Sequence, residues 1–136
     1  MQDQDQENEP SVLFLCVHNA GRSQMALGWF RHLAAHRAVG WSGGSEPTGA
    51  VNPAAIAAMA EIGIDISGEF PKPWTDEIVR GADAVITMGC GDACPFLRAK
   101  QHADWGIADP KHLPPDEFRA VRDQIGEKVR ELLARL

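Results

Sequence analysis

The sequence predicts an α/β fold: a single domain on an open parallel sheet of about four strands with helices on both faces. Three observations predict it. Short apolar runs alternate with stretches of helical periodicity along the chain. The runs are continuously apolar rather than alternating, as strands covered on both faces should be. The length of 136 residues, 44% of them apolar, suits one core that buries most of its apolar surface without staples.

Residues 1–10, MQDQDQENEP, combine low hydrophobicity with negative charge and are expected to stay disordered, so the domain is assigned to residues 11–136. The first strand is Val12 to Leu15, and Ser23 to His36 carries Met25, Trp29 and Leu33 at helical spacing. A second strand is expected over Ala38 to Ser42. Asn52-Pro53 then offers an N-cap and a helix-compatible proline ahead of Ile56, Met59 and Ile62, with Gly63 as the stop. Ile64 to Trp74, with Pro71 and Pro73, reads as a loop. A short helix follows from Thr75 to Arg80, closing at Gly81, then a buried strand from Ala84 to Met88. Gly89 to Ala108 reads as a polar loop containing Cys90 and Cys94. The last helix, from about Asp116 to Leu136, sets Val121, Ile125, Val129 and Leu132 or Leu133 on one face. Strands and helices in this alternation imply parallel pairing through right-handed crossovers.

Charge and composition exclude several classes. A net charge of -6 points away from nucleic acid. The longest apolar stretches are far below the roughly 20 residues of a membrane helix, and the acidic N-terminus is unlike a signal peptide, so no membrane partner and a cytoplasmic location are expected. Three cysteines are too few and odd in number for a disulfide framework, and suggest catalytic or metal-binding thiols.

The chemistry is concentrated in Cys16-Val17-His18-Asn19-Ala20-Gly21-Arg22-Ser23. Cys16 stands at the carboxyl end of the first strand, where ligands gather in an open parallel sheet. If the following loop curls so that successive N–H groups point inward, it meets the positive end of the next helix and holds an oxyanion. Arg22 adds a planar fork of donors matched to a tetrahedral anion. The same positive surroundings favour the thiolate of Cys16, the nucleophilic form. Ser23 is placed to hydrogen-bond the Cys16 sulfur, and Asn19 to fix the loop by bonding its backbone. A cysteine ending a strand is more often a small buried apolar residue; the arginine six positions later, Gly21 and the immediate helix start reverse that reading here.

CVHNAGRSQMA, residues 16–26, resembles the anion loop of the low-molecular-weight protein tyrosine phosphatase fold, and Asp109-Pro110 is similar to that fold's general-acid loop. The resemblance implies a flavodoxin-like winding of the sheet, and two chemistries share the scaffold: phosphomonoester hydrolysis, and reduction of arsenate by the thioredoxin-coupled arsenate reductases. NPAAIAAMAEIGIDIS, ITMGCGDACP and WGIADP resemble the reductases more closely. Reduction needs two electrons, which paired thiols supply by ending as a disulfide, and Cys90 with Cys94 is such a pair. On a helix their i and i+4 Cα atoms would lie about 6 Å apart, within disulfide range. Two buried cysteines or a metal pair are the alternatives; zinc would want four nitrogen or sulfur ligands, and no metal is expected.

The resemblance implies a relay in which Cys16 attacks arsenic, Asp109 protonates the departing oxygen, Cys90 attacks Cys16, and Cys94 takes the oxidation outward for thioredoxin to reduce. No bound cofactor is implied, the electrons coming from NADPH through thioredoxin reductase. There is no tyrosine where the phosphatases place tyrosines beside the acid loop; Trp74, His102 and Trp105 are the candidate replacements, with packing as their commoner role. Leu27 stands where many of these reductases carry an acidic residue serving a potassium site, Gly21 where some carry another cysteine, and Cys90 and Cys94 have three residues between them where some relatives have six. A phosphatase with a regulatory cysteine pair, an oxyanion-binding module, and an enzyme using mycothiol in place of Cys90 remain as other readings of the sequence.

Overall fold

The computed structural model describes residues 10–35, 37–88 and 101–136. Four strands, β1 (Ser11–Cys16), β2 (Val39–Gly44), β3 (Ala84–Thr87) and β4 (His102–Asp104), form one sheet in the order β2-β1-β3-β4 with every pair parallel. The chain leaves β1 toward β2 on one side and returns to β3 on the other. The carboxyl end of β1 is therefore a switch point of the sheet.

Helices α1 (Arg22–Ala34) and α4 (Pro115–Arg135), with α2 (Pro53–Ala60), pack on one face; α3 (Asp76–Gly81) covers the other. β1 shows why both faces need cover. Val12, Phe14 and Cys16 point into the larger core with Met25, Leu27, Phe30, Ile125 and Val129, while Leu13 and Leu15 meet Val79, Ala82 and Val85 under α3. A strand buried on both sides has no polar phase to alternate with. Trp29 joins α1 to α4: its Nε1 donates to the Arg122 carbonyl at 3.0 Å, and its ring lies against Gly126, where an added Cβ would sit 2.6 Å from ring atoms.

The capping signals of the sequence act as expected. Asn52 Oδ1 accepts from the Ala54 N–H at 2.9 Å with Pro53 in the first turn. Thr75, expected as the first residue of its helix, is the cap just before it, accepting from Ile78 at 3.2 Å. Gly63, at φ +81°, ends α2 in a Schellman arrangement, with Ile64 N–H donating to the Met59 carbonyl and Gly63 N–H to that of Ala60.

One expectation fails. The stretch read as a polar loop through Ala108 contains β4, which extends β3 by pairing Val85 with His102 and Thr87 with Asp104. Its three residues sit at the edge with His102 and Asp104 exposed, so no apolar run announces it. The N-terminal tail lies almost entirely outside the described residues, and Cys90 and Cys94 lie wholly outside them. Among the described residues no helix is long and apolar enough to cross a membrane.

Candidate active site

Cys16 ends β1 and is buried at 2% exposure. Residues 17–21 turn from the strand into α1, whose first helical bond runs from Met25 N–H to the Gly21 carbonyl at 2.9 Å. All six carbonyls from Cys16 to Gly21 are engaged by donors outside the turn: Ser45, Glu46, Thr48, Asn52 and Met25 supply backbone N–H groups, and Gln24 supplies its amide to Asn19. In a trans peptide the N–H of the next residue points opposite to the carbonyl. Carbonyls drawn outward therefore leave the N–H groups of Val17 to Arg22 on the inner side, an anion-binding nest at a helix N-terminus.

Side chains brace the nest from beneath. Ser23 Oγ lies 2.9 Å from Cys16 Sγ, as its spacing suggested. Asn19 has φ 51° and no exposed surface. Among the described residues its side chain bonds the start of α1 and the Lys72 backbone, not the loop's own backbone as expected. Its Nδ2 donates to Ser23 Oγ at 2.7 Å, and its Oδ1 accepts from the Lys72 N–H at 3.0 Å and from Gln24 Nε2 at 3.1 Å. Gly44 permits this closeness: a Cβ there would lie 2.7 Å from the Val17 carbonyl oxygen and 2.9 Å from the Asn19 nitrogen.

Arg22 is 7% exposed. Among the described residues, Nη1 donates to the Ile107 carbonyl at 2.8 Å and Nη2 stands 3.9 Å from Asp109 Oδ2. Arg22 thus ties the acid loop to the nest. The Asp109 side chain is 46% exposed, and its Oδ1 accepts from Lys111 N–H at 3.1 Å in an Asx turn. Cys16, Arg22 and Asp109 open into one cavity of about 460 Å³, whose walls include His18, Thr48 and Asn52. None of its described lining residues is phenylalanine, tyrosine or tryptophan. Trp105 packs against Phe14 with ring centroids 5.9 Å apart, Trp74 packs over Gly43, and His102 is on β4. Packing, not substrate contact, accounts for both tryptophans.

The structure thus brings together Cys16, Val17, His18, Asn19, Ala20, Gly21, Arg22, Ser23 and Asp109, while Cys90 and Cys94 fall outside the described residues. Sequence reasoning missed Gln24, Lys72, Gly44 and the Ile107 carbonyl. Only the Gly43-Gly44 pair at a strand end carried a readable signal, that of close backbone approach. Among the described residues no group of three or more histidine, cysteine or carboxylate side chains converges as a metal site. The arrangement suits a thiol nucleophile, a tetrahedral oxyanion and a proton donor across the cavity.

Comparison with known proteins agrees with that chemistry. The model of the low molecular weight phosphotyrosine protein phosphatase family matches residues 11–136. An arsenate reductase 2 of Staphylococcus saprophyticus is 39% identical over 130 residues, covering 91% of this chain and 96% of that protein. An arsenate reductase of Halalkalibacterium halodurans is 41% identical over 133 residues, covering 90% and 94%. Among solved structures, an arsenate reductase in the phosphate binding state superposes with a TM-score of 0.83 at 37% identity, covering 93% of this chain and 98% of that one. A Corynebacterium glutamicum thioredoxin-dependent arsenate reductase gives 0.82 at 38% identity, covering 98% of this chain, which spans 64% of that neighbour's length.

Proposed function

The chain belongs to the low molecular weight phosphotyrosine protein phosphatase family, and we propose that within it this protein is an arsenate reductase, converting arsenate to arsenite by a three-cysteine relay that thioredoxin recycles. The observation that carries the oxyanion half is the outward engagement of all six carbonyls from Cys16 to Gly21. Likeness to relatives named arsenate reductase over nine-tenths of the chain, with a cavity that no described tyrosine, tryptophan or phenylalanine lines, favours reduction over hydrolysis of an aryl phosphate.

Arsenate sits in the nest with its oxygens on the N–H groups of Val17 to Arg22 and on the Arg22 fork. Cys16 thiolate attacks arsenic; a sulfur–arsenic bond forms, an arsenic–oxygen bond breaks, and Asp109 gives the leaving oxygen its proton. Cys90 thiolate then attacks Cys16 Sγ. A sulfur–sulfur bond forms, the sulfur–arsenic pair of electrons stays on arsenic, and arsenite leaves as As(III). Cys94 attacks Cys90, freeing Cys16 and moving the disulfide to Cys90 and Cys94, which the thioredoxin dithiol reduces with electrons from NADPH. Ser23, 2.9 Å from Cys16 Sγ, stabilises the thiolate at the start and as the leaving group at the end.

The test is purified protein with arsenate, thioredoxin, thioredoxin reductase and NADPH, beside an aryl phosphate ester. Arsenate-dependent NADPH oxidation with little ester hydrolysis is expected. In Cys94→Ser, about one turnover of arsenite per enzyme should accumulate with Cys16 joined to Cys90, seen by acid quench and peptide mass spectrometry. Normal cycling of that variant would remove Cys94 from the relay. Ester hydrolysis without arsenate turnover would make the protein a phosphatase.

A further inference from the structure

The segment from Glu69 to Trp74 is docked on the underside of the anion nest by its backbone. The Phe70 carbonyl accepts from Gln24 Nε2 at 3.1 Å, Lys72 N–H donates to Asn19 Oδ1 at 3.0 Å, and the Lys72 carbonyl accepts from Gly44 N–H at 2.9 Å. Lys72 also reaches sideways. Its Nζ donates to Ser42 Oγ at 3.2 Å and lies 5.4 Å from the centroid of the Phe70 ring. Ser42 is 4% exposed on β2, two residues before Gly44. Burial pushes the Lys72 ammonium below the ordinary lysine value, opposed by the Glu69 carboxylate and aided by Arg31. A lysine on a surface segment normally carries its charge into water; this one is held against a buried hydroxyl at a desolvation cost.

We propose that Lys72 is a positioning residue for oxyanion binding: its ammonium clamps the segment 69–73 to β2 through Ser42, and the clamped backbone holds Asn19 and so the Ser23 and Cys16 geometry. The path is continuous, from Lys72 Nζ to Ser42, from Lys72 N–H to Asn19 Oδ1, from Asn19 Nδ2 to Ser23 Oγ at 2.7 Å, and from there to Cys16 Sγ at 2.9 Å. With the clamp open, the nest keeps its sequence but loses the support that fixes Asn19. The proposal rests on the reading of the nest as the oxyanion site, not on the relay.

The test uses full-length protein and inorganic orthophosphate as the probe, measuring how well orthophosphate protects Cys16 from alkylation by iodoacetamide. Lys72→Met keeps the aliphatic stem and removes the charged donor; it should weaken protection about tenfold, the size expected for one hydrogen bond from a charged group. Arsenate KM should rise by a similar factor while kcat at saturating arsenate stays within about twofold, since uniform binding and not the chemical step is lost. Lys72→Arg, which restores a charged donor, should recover most of the protection. Ser42→Ala should reproduce the Lys72→Met effect, and the double variant should be no worse than either single one. If Lys72→Met does not fold, Ser42→Ala decides by itself. Unchanged protection in whichever single variant folds, additive losses in the double variant, or a loss that Lys72→Arg does not recover would each overturn the proposal. Wild-type protein that orthophosphate protects but that reduces no arsenate would sink the reductase reading and leave the clamp standing; wild type left unprotected would sink both.

Discussion

Two polar networks hold this molecule together at different places, and they are built on opposite terms. Beneath the nest, Asn19, Ser23 and Gln24 are fully buried and almost wholly neutral, joined by bonds of 2.7 to 3.1 Å. At the seam between α2 and α4, Glu61 accepts from Arg119 at 2.8 to 3.1 Å and from Arg122 at 2.8 Å, but Glu61 and Arg119 keep over 40% of their side-chain surface in water. The exposed pairs have more charge and less consequence, because water replaces a lost partner there and cannot do so under the nest. Gln24 shows how demanding the buried network is: its Nε2 faces three acceptor oxygens while its Oε1 has no protein partner among the described residues. Preorganising a nest of N–H groups is bought with such compromises.

Breaking the buried side should therefore cost function first. Cys16→Ser should reduce arsenate turnover and any ester hydrolysis to background while leaving the fold intact, since a hydroxyl fits the same space but is a far weaker nucleophile at neutral pH. Arsenate-dependent NADPH oxidation surviving in that variant would assign the nucleophile elsewhere. Arg22→Lys should lower kcat/KM for arsenate by about a hundredfold or more, the usual loss for one oxyanion donor, because an ammonium supplies neither the fork nor the Ile107 bond together with the anion contact. Near-normal kinetics would show that the nest alone holds the anion.

Asn19→Ala sharpens the contrast by leaving the Lys72 N–H without its buried acceptor and placing alanine at φ 51°. A loss of about 3 kcal/mol is expected from the unpaired group and the left-handed backbone, read as a lower denaturation midpoint with an unchanged m-value. A change within error would mean that the network is ornamental. Glu61→Gln, on the exposed side, should have the smallest effect and no effect on kcat. Hydrogen bonding by Arg119 holds the Glu61 carboxyl below its ordinary value of 4.5, burial opposing and Arg122 adding to the lowering. A carboxyl lowered in the folded state stabilises above its unfolded value and loses that contribution as the pH falls through the lowered folded one. The melting curves of wild type and Glu61→Gln should thus differ slightly at neutral pH and converge in acid once the pH has fallen through that lowered value. A difference that persists there would point to packing, not charge.

How much of this was legible follows from the range over which each feature is encoded. The strand, nest and helix from Ser11 to Ala34 are written in consecutive residues: a run too apolar for anything but a two-sided strand, a turn around Cys16 to Arg22, and a helical repeat of Met25, Trp29 and Leu33. The cap at Asn52 and the stop at Gly63 are equally local, because a cap is satisfied within three residues of itself; Thr75, expected inside its helix, is the cap one position before it. β4 was not legible, since three edge residues carry no periodicity. The thiol pair Cys90 and Cys94 was legible as chemistry, though it lies outside the described residues.

By itself, then, the sequence determined the α/β class and set the thiol of Cys16, the fork of Arg22 and the hydroxyl of Ser23 in one short stretch, all of them properties of residues near one another in the chain; Asp109 stood out only through the resemblance of Asp109-Pro110 to a known acid loop. Only the tertiary structure decided what holds them. Lys72 meets Asn19 across 53 residues and Arg22 meets the Ile107 carbonyl across 85, and neither pairing has a periodic or spacing signal. They arise because the sheet order β2-β1-β3-β4 brings the carboxyl end of β1 beside that of β2, while the segments that follow β2 and β4 return over the same edge. Buried donors and acceptors must find partners there, but which partners they find is fixed by how the strands are shuffled and not by the residues on either side of them.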